Sequence, residues 1–375
     1  MTTNNEHKKL NAPTLRFPEF EGEWEKCTLG DVAEFSKERM NTQNLSCDNY
    51  VATENMLQNY QGIIVASNVP TNTNVIKFSK GDVLLSNIRP YLKKVWFADK
   101  SGGCSADVFV FKAFPACVPG FLHHIIANDR FINFAMSGAK GVKMPRGDKE
   151  QMKTYEIGLP SIKEQNKIAK LLSLLDERIA TQSKVIEDLK KLKRAIAERL
   201  LKVTDGEGVA LAEVCNIQKG KQVNGDCLSE KGTYYVMNGG TEPSGYYGQS
   251  NASANTISIS EGGNSCGYVQ YNSEAFWSGG HCYTLTNIQP NICNLYLYHF
   301  LKSKENAIMK LRIGTGLPNI QKKDLEKFTV LLPPIDKQVR ISAILTAIER
   351  KTTNEGILLS YFLEEKQFLL RQMFI

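Results

Sequence analysis

Tyr155-Glu-Ile-Gly-Leu-Pro-Ser-Ile-Lys-Glu-Gln-Asn-Lys-Ile168 and Phe328-Thr-Val-Leu-Leu-Pro-Pro-Ile-Asp-Lys-Gln-Val-Arg-Ile341 align without a gap, Pro160 falling on Pro333, 173 residues further on. The same offset carries Gly141 onto Gly314, Pro145 onto Pro318, Gln165 onto Gln338, Leu172 onto Leu345, Leu175 onto Ile348 and Lys193 onto Lys366. Upstream the match is looser, yet Leu29-Gly-Asp-Val-Ala33 recurs as Leu211-Ala-Glu-Val-Cys215, with lysines following near 37 and at 219–221. A period this long marks a duplicated domain, not a solenoid.

Downstream of each repeated segment lies a long helix. Pro160 closes a strand, and Ser161 with Glu164 spells a Ser-x-x-Glu capping box. From there alternating four- and three-residue steps visit Ile168, Leu172, Leu175, Ile179, Gln182, Ile186, Leu189, Lys193, Ile196 and Leu200, eight of ten apolar. Shifted by 173, the seam visits Ile341, Leu345, Ile348, Thr352, Glu355, Leu359, Phe362, Lys366, Leu369 and Met373, seven of ten apolar. This is the spacing of a coiled coil. Two seams of equal length, with a whole globular unit between them in the chain, predict an antiparallel pair within one molecule; the alternatives are that each helix docks on its own domain or that the seams join two chains. Each rod would be about 60 Å long at about 1.5 Å per residue. The polar positions Gln182, Lys193, Glu355 and Lys366 would fix its register at some cost in stability.

The remainder reads as mixed α/β. Short strands are expected at Val75–Phe78, Gly81–Ser86 and Val108–Phe111, and in the second copy at Thr256–Ser260, Gly267–Tyr271 and His281–Thr286. Phe121–Ala127 and Leu295–Leu301 have helical spacing, and each precedes the shared Gly-x-x-x-Pro loop. The organisation is therefore 1–160, a globular unit; 161–204, a helix; 205–332, a second globular unit after the polar break Val203-Thr-Asp-Gly-Glu-Gly-Val209; and 333–375, a second helix. The fold class is α/β (α+β), two similar domains with two long antiparallel helices and a pseudo-twofold repeat.

With 375 residues each unit can bury its own core. Nine cysteines, with no Cys-x-x-Cys among them, and an N-terminus lacking an apolar leader point to a reduced, cytoplasmic protein without a membrane span. The net charge is +7, but 161–203 hold eleven Lys and Arg against six Asp and Glu, so most of the excess lies on one helix. Bulk charge thus permits nucleic-acid binding without showing it.

Catalytic motifs are missing. No Gly-x-x-x-x-Gly-Lys-Ser/Thr loop occurs, and Lys219-Gly-Lys-Gln222 lacks the hydroxyl that magnesium needs. Asn87-Ile-Arg-Pro-Tyr91 and Leu332-Pro-Pro-Ile335 do not substitute for the Asn-Pro-Pro-aromatic string of adenine methyltransferases. His123-His124 lack metal-ligand spacing, and His281-Cys282 reads as structural, so no metal is expected.

Pro13-Thr-Leu-Arg-Phe-Pro-Glu-Phe-Glu-Gly-Glu-Trp-Glu-Lys-Cys-Thr-Leu-Gly-Asp-Val32, the two Leu-Pro-x-Ile-x-x-Gln helix starts and the duplicated domain-plus-helix plan together resemble the specificity subunit of a type I restriction-modification system, over essentially the whole chain. The resemblance implies two target-recognition domains, each reading half of a split double-stranded DNA site, with the helices as spacer. It implies two modification subunits carrying the adenine methyltransferase sites, and motor-nuclease restriction subunits. S-adenosylmethionine, ATP and Mg2+ would sit on those partners, with no cofactor on this chain. A protein scaffold, or a single-chain methyltransferase or nuclease, are the competing readings.

Base reading in a groove needs Arg, Lys, Asn or Gln on loops. The candidates are Asn87, Arg89, Lys93, Lys94, Lys140, Lys143 and Arg146 in the first domain. In the second they are Lys219, Lys221, Gln222, Asn264, Lys310, Arg312 and Asn319. Gly314-Thr-Gly316 would let backbone approach phosphate closely. The Gly-x-x-x-Pro loops, 141–145 and 314–318, stand out because both copies have them.

Overall fold

A computed structural model describes residues 11–202, 206–314 and 316–375. The N-terminal stretch read above for a leader, positions 203–205 of the polar break and Thr315 lie outside them. The chain forms two compact units, Met1–Lys184 with Ile357–Ile375, and Val185–Gly356.

In the first unit the elements are β1 (Glu25–Thr28), α1 (Leu29–Val32), β2 (Ala33–Phe35), β3 (Arg39–Asn41), β4 (Tyr50–Val51), β5 (Asn74–Phe78), β6 (Val83–Ser86), β7 (Val95–Phe97), β8 (Gly102–Cys104) and β9 (Val108–Ala113). Then come α2 (Pro119–Ile126), α3 (Asp129–Ser137), α4 (Lys149–Lys153), β10 (Glu156–Leu159) and the long α5 (Ile162–Leu200). One sheet runs β2-β9-β6-β7, a second β3-β5-β8-β4, and β1 pairs with β10. Strand alternation explains the unbroken apolar runs. Val83, Leu85, Phe109 and Phe111 face α2 and α3, while Leu84, Val108 and Val110 enter a separate core with Phe78 and Trp96. A sheet covered on both faces needs apolar residues at every position.

The second unit repeats the plan with β11 (Glu207–Ala210), α6 (Leu211–Val214), β12 (Asn216–Lys219), β13 (Tyr234–Met237), β14 (Tyr246–Tyr247), β15 (Thr256–Ser260), β16 (Val269–Asn272), β17 (Trp277–Ser278) and β18 (Cys282–Thr286). It continues with α7 (Asn294–Ser303), α8 (Glu305–Met309), α9 (Lys322–Glu326), β19 (Thr329–Leu332) and α10 (Ile335–Gln372). The order β12-β18-β15-β16 repeats β2-β9-β6-β7, and β11 with β19 repeats β1 with β10. The expected strands and both expected helices are present. Helices α3, α4, α8 and α9 go beyond the sequence reading, because elements of five to nine residues carry too few turns for a period to show.

Each unit includes part of α5 and part of α10, and within each the two run antiparallel. In the first, Asp176 Oδ1 meets Lys366 Nζ at 2.5 Å, and the Arg178 guanidinium lies 5.3 Å from the Phe362 ring. In the second, Lys193 Nζ meets Glu349 Oε1 at 2.8 Å. Ile168, Leu172, Leu369 and Met373 share the first core, and Ile341 and Leu345 join the second. All twenty seam positions are buried or half-buried.

The repeated glutamine is a structural clamp. Gln165 Nε2 donates to the carbonyls of Pro160 at 2.9 Å and Ala116 at 3.0 Å, and Oε1 accepts from Val118 N at 2.8 Å, just ahead of α2. Gln338 does the same with Pro333 O and Cys293 N, ahead of α7. One side chain thus joins the strand end, the long helix and the first domain helix. The capping box at α5 forms only by half: Glu164 N donates to Ser161 Oγ at 3.4 Å. The Glu164 carboxylate instead takes two bonds from Arg16, at 2.7 and 2.8 Å, and one from Trp24 Nε1.

Candidate nucleic-acid interface

The two Gly-x-x-x-Pro loops are hairpins built on one plan. Lys140 and Arg146 exchange two backbone hydrogen bonds of 2.9 Å, as do Ile313 and Asn319 at 2.8 and 3.0 Å. Gly141 at φ +96° and Gly314 at φ +95° make the reversal, in a conformation that a Cβ disfavours. Each hairpin docks on the loop leaving the central strand, β6 or β15. Arg89 N donates to Pro145 O and Asn87 N to Asp107 O, both at 2.8 Å, and Gly147 N donates to Asn87 O. In the second unit Gly263 N donates to Pro318 O, Glu261 N to His281 O and Ile320 N to Glu261 O. Three backbone bonds therefore recur with different side chains upon them.

In the first unit this brings Asn87, Arg89, Lys140, Lys143 and Arg146 together. Arg146 pairs with Asp107 at 3.2 Å and Lys140 with Asp148 at 2.7 Å. Asp148 is held below its usual range, first by that bond. Asn87 is only 9% exposed, and its Oδ1 accepts no hydrogen bond among the described residues. Arg89 adopts φ +52°, ψ +62°, where the second unit places Gly263 at φ +77°. Holding a non-glycine residue there costs free energy that the surrounding backbone bonds must offset. Lys93 and Lys94 belong elsewhere: Lys93 pairs with Asp129 at 2.8 Å, and Lys94 donates to Thr53 O at 2.6 Å.

In the second unit, Lys219 at the end of β12 reaches Glu261 Oε1 at 2.6 Å. Glu261, 7% exposed, also accepts from the Tyr283 hydroxyl at 3.1 Å and lies 3.7 Å from His281 Nδ1. The buried carboxylate so holds exposed Lys219, with exposed His281 beside it. Exposed Asn264 follows on the same loop, and exposed Lys310 and Arg312 lead into the hairpin that ends at half-buried Asn319. Lys221 and Gln222 follow Lys219: Lys221 N donates to Ser278 O, Lys221 O accepts from Trp277 Nε1, and Gln222 lies against Gly280, next to His281. Sequence reasoning passed over Asp107 and Asp148; it placed Glu261 in the candidate loop Glu261-Gly-Gly-Asn264 without a role and read His281 as structural. Ser86-Asn87 set against Ser260-Glu261, a shift of one residue from the main repeat, would have found the central pair.

Among the described residues, His123, His124 and Asp176 bring ligand atoms within 4.8 Å of one another. Lys366 already supplies the positive charge on Asp176. Tyr298, His299, Glu349 and Lys193 form the equivalent layer in the second unit, where Tyr298 Oη bonds Glu349 and His299 Nε2 bonds Thr346 Oγ1, each at 2.9 Å. This recurrence fits a register-setting ion pair beneath the domain helix better than a metal centre. No helix among the described residues is long and apolar enough to cross a membrane.

Known proteins share both sequence and fold with this chain. A type I specificity subunit named from Mycoplasma pneumoniae is 34% identical over 141 residues, 37% of each chain. One named from Mycoplasma genitalium is 30% identical over 155 residues, 37% of this chain and 40% of that protein. These matches span well under half the length of either relative. The crystal structure of a type I restriction-modification S subunit from M. genitalium superposes with a TM-score of 0.73 at 20% identity, over 97% of this chain and 99% of that one. The model of the type I restriction modification DNA specificity domain matches twice, at residues 21–191 and 205–359. Two copies of one domain, each ending in the same clamped helix, make this chain a member of the type I restriction-modification DNA specificity family.

Proposed function

We propose that this chain is the DNA-recognition subunit of a type I restriction-modification complex, working in the cytoplasm and reading a bipartite double-stranded site. The carrying observation is the duplicated hairpin platform. The same three backbone bonds present basic and amide side chains in each unit, so each unit has one surface suited to one half-site. Phosphate contacts from lysines such as Lys143 and Lys310 would position the duplex, while Arg89, Arg146 and Asn319 would read base edges. The long helices would set the gap between half-sites, α5 alone being 39 residues, or about 58 Å.

Chemistry would belong to partners. Two modification subunits would carry adenine methylation with S-adenosylmethionine, and restriction subunits would carry ATP- and Mg2+-dependent cleavage; this chain would hold none of these cofactors. Exposed Leu174, Leu192, Val339, Ile344, Tyr361 and Phe368 on the long helices offer the apolar surface that such subunits need. Methylome sequencing of cells carrying a chimera, residues 205–332 exchanged for those of another family member, tests the reading. One half of the methylated motif should change while the other stays fixed. Both halves changing together would overturn independent recognition.

A further inference from the structure

We propose that each Gly-x-x-x-Pro hairpin drives an apolar wedge into the base stack of duplex DNA, Val142 with Met144 in the first unit and Leu317 in the second. This rests on the DNA-recognition reading above and says how the hairpins engage the duplex. Val142 is 103% exposed, Leu317 87% and Met144 49%. A single exposed aliphatic residue is ordinary and decides nothing. Here, however, exposed apolar residues crown equivalent hairpins whose sequences, Gly141-Val-Lys-Met-Pro145 and Gly314-Thr-Gly-Leu-Pro318, share little besides the Gly and Pro that shape them. Met144 and Leu317 correspond position for position, each just before the proline.

The root of each hairpin is fastened and the tip stands clear. Backbone bonds close the root at Lys140 with Arg146 and at Ile313 with Asn319, and the Pro145 and Pro318 carbonyls are held by Arg89 N at 2.8 Å and Gly263 N at 3.0 Å. A protruding element with a rigid base can force apart groups that a floppy loop would merely brush. Charge identifies the occupant. In the first hairpin Lys140 and Arg146 are paired with Asp148 and Asp107, which leaves exposed Lys143 between Val142 and Met144 as its outward cation, and exposed Lys310 and Arg312 lead into the second. A cation beside an apolar tip matches a duplex, with phosphates along the groove edges and stacked bases between. Proteins that kink DNA insert Leu, Met, Ile or Phe in this way.

The test uses the full chain and a duplex carrying the motif recovered by methylome sequencing, with 2-aminopurine placed at each half-site position in turn except the methylated adenine. Binding should raise the fluorescence at one step in each half-site. Leu317→Ser should return the signal in one half-site to the free-duplex level and leave the other unchanged. Val142→Ser with Met144→Ser should do the reverse. Both tips are exposed, so these variants should fold as the parent does, which circular dichroism checks. A duplex that is bound, by gel retardation, with no rise at any step overturns the wedge while leaving DNA recognition standing. A rise that persists in all tip variants also overturns it, as does a tip variant that keeps the rise but no longer binds an added methyltransferase subunit, which would make the tip a protein contact. Failure of the parent chain to retain any duplex would instead remove the DNA-recognition reading itself.

Discussion

Arg89 offers a test in which stability and recognition should move in opposite directions. Its backbone lies at φ +52°, where the equivalent turn of the second unit has Gly263 at φ +77°. The left-handed region costs a residue bearing a Cβ about 1–2 kcal/mol. A glycine there relieves that cost but loses about 0.5–1 kcal/mol through its freer unfolded chain. Arg89→Gly should therefore stabilise the first unit by about 0.5–1 kcal/mol, raising its thermal midpoint by about 2–3 °C. Arg89→Ala keeps the backbone cost and should gain nothing. Both remove the guanidinium, while the backbone N–H that holds Pro145 remains in each. On DNA the two should thus behave alike, losing about 1–3 kcal/mol at one base position if Arg89 reads a base. Denaturant titration gives the first quantity and fluorescence anisotropy across a salt series the second. The reasoning fails if Arg89→Gly is no more stable than Arg89→Ala, or if either binds its motif as tightly as the parent.

Three further outcomes follow from the framework. Gln165→Ala strands three backbone groups that the amide now serves, and should cost about 3 kcal/mol in denaturant unfolding; a cost below about 1 kcal/mol would refute the clamp. Asp176→Leu leaves the ammonium of Lys366, 6% exposed, without its partner, at a cost of about 3 kcal/mol. Adding Lys366→Met should recover most of that loss, and a double-mutant cycle that comes out additive would deny the pair its role. Burial lowers the His299 imidazole to about 4, against about 6.5 in an unfolded chain. The unfolded state therefore takes up the proton first: the stability is complete above about pH 6.5 and drains away as pH falls towards 4. His299→Gln should flatten the fall in thermal midpoint between pH 7 and 4, and an unchanged slope would show that other groups dominate.

The sequence made the long helices legible because a seam of ten positions repeats its spacing many times over. Pairing in antiparallel sense was equally readable, since two matched seams each needed a cover. The paired strands were partly legible: Val83-Leu-Leu85 reads as apolar throughout, which signals a buried strand but hides which residue faces which core. The interface was least so. Lys93 and Lys94 looked like neighbours of Arg89, yet the turn at Pro90–Leu92 carries them to Asp129 and Thr53. Glu261 lies in a candidate loop, yet its role is hidden in the sequence, because Lys219 and Tyr283, which bond it, are distant in the chain and meet it only in the fold. Local spacing cannot report such meetings.

What the duplication preserves and what it changes are different things. The backbone bonds from positions 87, 89 and 147 recur at 261, 263 and 320, and the glutamine clamp recurs in its bonds to the proline carbonyl and to the backbone N–H ahead of the domain helix. The side chains carried by that scaffold do not recur: Asn87 stands where the second unit has Glu261, Arg89 where it has Gly263, Asp107 where it has His281, and Arg146 where it has Asn319. The hydrogen-bonding groups thus differ at each corresponding corner. An Arg is suited to the acceptors of guanine, an Asn to the paired acceptor and donor of adenine, and a carboxylate only to a donor. Two surfaces of the same shape with unlike hydrogen-bonding groups should select unlike bases. On the DNA-recognition reading, the two half-sites therefore differ in sequence, and the whole site is not a palindrome despite the twofold plan of the chain.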